Sequence, residues 1–125
     1  FWSKKMAYKY AITYSRPTVD DDWYVMDTNT VYTAEETARQ TVLSDWIAAR
    51  QADGDITVSW EFSEDMLDFS YILTYEDEDS YNTLQAAWVV VRDAQCDGIE
   101  PETEAKFVQW NTDNNQTFAI TKETV

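Results

Sequence analysis

Ten carboxylates crowd the middle of this chain of 125 residues: Asp53, Asp55, Glu61, Glu64, Asp65, Asp68, Glu76, Asp77, Glu78 and Asp79. Neither Lys nor Arg occurs from Gln51 to Val91. Carboxylates at this density can do three kinds of chemistry. Two of them can share a proton, several can hold a hard cation, or the group can attract a basic partner through its field. The same field repels nucleic acid and anionic membranes. Eight of the ten form the expected acidic interaction surface: Glu61, Glu64, Asp65, Asp68, Glu76, Asp77, Glu78 and Asp79.

Glu61 and Asp68 are the candidate pair for proton sharing or cation binding. The alternating pattern around them reads as a hairpin in which Phe62 faces Leu67, Trp60 faces Phe69 and Val58 faces Tyr71. That register places Glu61 opposite Asp68 on the sheet face away from the helices, where facing like charges are unfavourable. The favoured reading is plainer. Both carboxylates point into water, where screening makes their repulsion small, and Lys9 on the same face offers a counter-charge. The rest of that face carries Ala7, Ala11, Thr13, Thr57, Ser59, Ser70, Ile72 and Thr74, which suits solvent or a modest homodimer interface.

Other oxygen-rich stretches give weaker signals. Asp20-Asp21-Asp22 and Glu76 to Asp79 lack the glycine and spacing of an EF-hand loop. The second cluster is explained as helix-start chemistry. Asn111 to Asn115 reads as a hairpin loop. Asn115-Gln116-Thr117 fits a glycosylation sequon but has no secretion signal beside it. No metal site and no cofactor is expected.

The chain has no histidine and a single cysteine. A Ser-His-Asp triad, a Cys-His pair and a His-ligated zinc site are therefore excluded within one chain. No intrachain disulfide is available, which fits a reducing compartment and a cytoplasmic or intracellular setting. Cys96 falls at a helix end without a His partner and reads as a buried or incidental thiol. Among the six tryptophans, Trp46, Trp60, Trp88 and Trp110 fall on expected core faces, which leaves Trp2 and Trp23 as the freer ones.

The formal net charge is −15, from 24 acidic and nine basic residues, and hydrophobic residues make up 44%. That apolar content is enough to fold despite the charge, and the length suits one domain spanning residues 1–125. A pI near 4.1 disfavours direct nucleic-acid binding. No apolar run approaches the ~20 residues of a membrane span. Phe1 to Met6 holds a basic pair without a following apolar stretch, so no signal peptide is expected. Met6 is a candidate natural start, with residues 1–5 an added or flexible terminus.

These residues must be positioned by regular elements. Met6 to Tyr14 alternates with Met6, Tyr8, Tyr10, Ile12 and Tyr14 on one face, which predicts a strand. Trp23 to Met26 suggests a short edge strand before a turn at Asp27 to Thr30. Thr33 followed by Glu36 is a capping-box pattern, opening a helix to about Gln51 with Ala38, Val42, Leu43, Trp46 and Ile47 inward. Asp53-Gly54 stops it. Asp55 to Phe62 and Leu67 to Tyr75 are the hairpin strands, with a break at Ser63 to Met66. A second helix starts near Asp77 to Ser80, buries Tyr81, Leu84, Trp88 and Val91, and ends by Cys96-Asp97-Gly98. Lys106 to Trp110 and Thr117 to Thr121 are expected to form a final hairpin. The order β-α-β-β-α-β, with extra edge strands, predicts an α+β ferredoxin-like antiparallel sheet with two helices packed on one face.

Three functions fit this sequence. The first is a non-catalytic acidic interaction or assembly protein that binds a basic protein partner. A viral or mobile-element accessory protein has this profile. The second is an acidic nucleic-acid mimic that occupies the groove of a DNA-binding protein. The third follows from a likeness: an aromatic second helix (Tyr81, Trp88) after a hairpin is similar to the dimeric α+β-barrel monooxygenase-type families. That likeness covers strand order and implies a small-ligand-binding protein or enzyme. Without histidine, its proton chemistry would fall to Tyr, Asp, Glu or Lys.

Overall fold

The computed structural model of the protein describes residues 6–23, 33–96 and 102–125. Within them the elements run β1 (Tyr8–Ser15), α1 (Ala34–Ala52), β2 (Ile56–Phe62), β3 (Asp68–Tyr75), α2 (Glu78–Cys96), α3 (Glu102–Asp113) and β4 (Thr117–Thr124). The strands form one antiparallel sheet in the order β2-β3-β1-β4. The fold is α+β, with a four-stranded sheet and three helices among the described residues. None of these helices is long and apolar enough to cross a membrane.

Period-two alternation sets the two faces of the sheet. On the helix side Tyr10 lies opposite Leu73, Ile12 opposite Tyr71, and Tyr14 opposite Phe69. Ile56, Val58, Trp60 and Phe62 of β2 continue these rows, as do Phe118 and Ile120 of β4. The principal core is Ile56, Leu73, Tyr75 and Tyr81, with Tyr8, Tyr10, Trp46, Val58, Tyr71 and Leu84 packed against it. A second aromatic group gathers at the other end of the sheet. There Trp23 and Tyr14 pack on Phe69, and Phe107 of α3 touches both Tyr14 and Phe118.

Local chemistry explains the helix boundaries. The Glu36 N–H donates to Thr33 Oγ1 at 3.1 Å and the Thr33 N–H donates to Glu36 Oε1 at 2.9 Å, a complete capping box. α1 ends where Gly54 takes φ +82°, a left-handed conformation that costs glycine least. In α2, Asp77 Oδ1 accepts the Ser80 N–H at 2.8 Å and caps the first turn.

The expected final hairpin is not formed. Lys106 to Trp110 belongs to α3, and only Thr117–Thr124 is a strand. Phe107, Trp110 and Asn111 sit at three- and four-residue spacing, the helical period, and Asn111 is buried. Five residues with Phe107 and Val108 side by side do not decide between strand and helix. Asn111 to Asp113 therefore close a helix, and Asn115 turns the chain into β4 with φ 54°. Among the described residues there is no extra edge strand: Trp23 is irregular, while the remainder of that expected strand and the following turn lie outside the described residues.

Candidate functional site

The structure divides the expected acidic surface in two. Glu61, Glu64, Asp65 and Asp68 gather around the β2–β3 turn, while Glu76, Asp77, Glu78 and Asp79 lie beyond the opposite end of β3. At the strand rise of ~3.3 Å per residue, β3 holds the two groups about 25 Å apart.

Glu61 and Asp68 do not face each other. Glu61 lies opposite Ser70, and Asp68 lies opposite Ser15, whose hydroxyl donates to Asp68 Oδ1 at 2.6 Å. The register is shifted by two residues because the turn is longer than the pattern suggested: Ser63 pairs with Asp68, its N–H donating to the Asp68 carbonyl at 2.9 Å. A shift of two keeps every side chain on its expected face. Lys9 is likewise not beside Glu61. It stands opposite Glu123 and Thr74, two rows away.

The turn is tightly organised. Asp65 Oδ1 accepts the Ser63 hydroxyl at 2.7 Å and the Leu67 N–H at 3.0 Å, which hold the Asp65 carboxyl below its ordinary pKa. Met66 takes a left-handed φ of 62°, and its carbonyl accepts from Arg16 Nε at 3.0 Å. The Arg16 guanidinium also lies over the Trp23 ring at 4.3 Å. In the Asp20 to Asp22 stretch, Asp21 Oδ2 accepts the Thr18 N–H and hydroxyl, closing a local turn. Among the described residues, no three His, Cys, Asp or Glu side chains converge as metal ligands.

An open groove of about 370 Å³ lies between α1 and the sheet. Ser44, Ile47, Ala48 and Gln51 of α1 form one wall, and Val58, Trp60 and Tyr71 form the other. Trp60 is 53% exposed and Phe62 is 44% exposed, although both lie on the helix side of the sheet. Trp60 was expected in the core and is not. Trp23, expected to be free, is 4% exposed. Trp46, Trp88 and Trp110 are half-buried, and Trp2 lies outside the described residues. The reason is position in the sheet: Trp60 and Phe62 lie at the end of edge strand β2 away from Ile56 and Val58, which the principal core covers. Only long-range strand order could have revealed Trp60 and Phe62 as surface residues.

Tyr14, Tyr71 and Tyr75 stay protonated at neutral pH. Burial, with neighbouring tyrosines, pushes Tyr14 and Tyr75 up to about 12, and burial raises Tyr71. Lys122 is held above its ordinary value, mainly by a hydrogen bond to Tyr81. None of these groups is tuned toward a neutral-pH acid or base. The region thus combines a groove walled by Trp60 and Tyr71, a strand β2 that among the described residues pairs with β3 alone, and a carboxylate-lined turn. Comparison with protein-family models, curated proteins and solved structures found no match for the chain.

Proposed function

We propose that this protein is a non-catalytic acidic binding module that takes a basic segment of a protein partner. The observation carrying this reading is the pairing of exposed Trp60 and Phe62 with Glu61, Glu64, Asp65 and Asp68 at one end of β2. Exposed aromatics supply contact area, and the carboxylates supply long-range attraction and selection by charge. The strand order β2-β3-β1-β4 supports a ferredoxin-like arrangement for the scaffold, with α3 added before β4.

Calorimetric titration with a short peptide of alternating Lys and Val tests the reading. Binding that weakens with added salt and with Trp60→Ala is expected. No salt-sensitive binding overturns it. A small flat ligand on Trp60 is a weaker reading, because the groove is open where ligand sites enclose most of their ligand. A nucleic-acid mimic has less support, because β3 separates the two carboxylate groups.

A further inference from the structure

Resting on that reading, we propose that the partner's segment docks as an added β-strand along the open edge of β2, with Lys or Arg alternating with apolar residues. The backbone supplies the first argument. The Ser63 N–H donates to Asp68, so that residue pair is a hydrogen-bonded one. Antiparallel ladders alternate bonded and non-bonded pairs. The N–H and C=O groups of Ile56, Val58, Trp60 and Phe62 therefore point away from β3, toward the open edge. Among the described residues β2 pairs with β3 alone.

The second argument is the weak protection of this edge among the described residues, where Glu61 is its one charged side chain. Natural edges are blunted by charged side chains, Lys above all, by Pro, by bulges or by coverage. β2 has neither Lys nor Pro, and its register with β3 runs unbroken from Ile56 to Phe62. The opposite edge, β4, carries Lys122.

Charge and pattern select the occupant. On the helix side an added strand meets Val58, Trp60 and the α1 wall, which take apolar side chains. On the other side it meets Glu61, with Glu64 and Asp65 at the turn, which take Lys or Arg. A second copy is a poor occupant. A second β2 edge carries no Lys or Arg, nor does any residue from Gln51 to Val91, so it offers these carboxylates no complementary charge.

The probe is a capped peptide of alternating Lys and Val matched to the seven residues of β2, compared with versions N-methylated on every Val or on every Lys. The outward groups of β2 belong to helix-side residues. Antiparallel docking therefore uses the Val N–H groups, and parallel docking uses the Lys N–H groups. The expected result is that one methylated set loses at least about tenfold in affinity while the other binds as the parent does. If the parent binds in a salt-sensitive way and both sets behave alike, the edge mode is overturned and the basic-partner reading survives. If the parent itself does not bind, both fall.

Discussion

Trp60 stacks on Phe69, with ring centroids 5.1 Å apart and planes within 12°, yet the two rings have opposite environments. Phe69 is 2% exposed and Trp60 53%. Phe69, on a central strand, is enclosed by Tyr14, Trp23 and Phe62, whereas Trp60, on the edge, forms the lid of that stack and the wall of the groove. Truncation should separate stability from binding. Phe69→Ala is expected to cost about 3–5 kcal/mol in urea denaturation. Trp60→Ala is expected to cost about 1–2 kcal/mol and to weaken binding of the Lys-Val peptide. Equal stability losses would place Trp60 in the core.

Much of this architecture was readable because its signals are local. Thr33 and Glu36 define a helix start within four residues, and alternation from Tyr8 to Tyr14 and from Asp68 to Tyr75 assigns the strand faces regardless of register. The missing parts depend on distant contacts. Lys106 to Trp110 is too short to show a period, and Phe107 is held in a helix by meeting Tyr14 and Phe118 from other parts of the chain. The acidic surface was legible as composition, not as shape: only the length of β3 shows that Glu61 and Glu78 belong to different ends. Trp60 and Phe62 escaped because nothing in a strand's own residues says that it lies at an edge, or which of its ends the helices cover.

The capping box at the start of α1 gives a cleaner stability test. Thr33→Ala removes the acceptor for the Glu36 N–H and is expected to cost about 1 kcal/mol. Thr33→Ser should restore most of the loss in the same denaturation measurement. Failure of serine to rescue would assign the effect to the threonine methyl group and not to the hydrogen bond.

Gly54 isolates backbone strain from packing. Its φ is +82°, and a Cβ placed there meets nothing within 4 Å. Gly54→Ala should therefore lose about 1 kcal/mol through conformation alone. Gly54→Asn should lose less, because Asn tolerates left-handed backbone better. A large loss for both would reveal a neighbour packed against the turn.

The buried phenols predict alkaline sensitivity. Tyr14 and Tyr75 are raised from 10.0 to about 12, largely by burial. A raised pKa in the folded state means that the unfolded chain gives up its protons first. The stabilisation from keeping these phenols neutral is intact below about pH 10 and is lost as pH rises through the folded values near 12. Spectrophotometric titration of phenolate should show a late, cooperative phase coinciding with loss of tertiary circular dichroism. Tyr14→Phe should shift that unfolding to higher pH. An unchanged midpoint would mean that its ionisation is not coupled to unfolding.

Asp65 behaves in the opposite sense and bears on the proposed site. The Ser63 hydroxyl, then the Leu67 N–H, hold its carboxyl below the ordinary 3.8. A lowered folded pKa means that its contribution to the turn is present above 3.8 and disappears as pH falls through the lowered value. Ser63→Ala removes the largest cause, so the Asp65 carboxyl should titrate closer to 3.8 when followed by carbon NMR. The same substitution frees the Asp68 N–H, which donates to Ser63 Oγ at 2.9 Å. It should therefore loosen the turn beside Glu61 and Glu64 and weaken the Lys-Val peptide at neutral pH, where Asp65 is charged in either protein. A shifted Asp65 titration with unaltered peptide affinity would show that the charge of the turn, and not its fixed shape, recruits the basic segment.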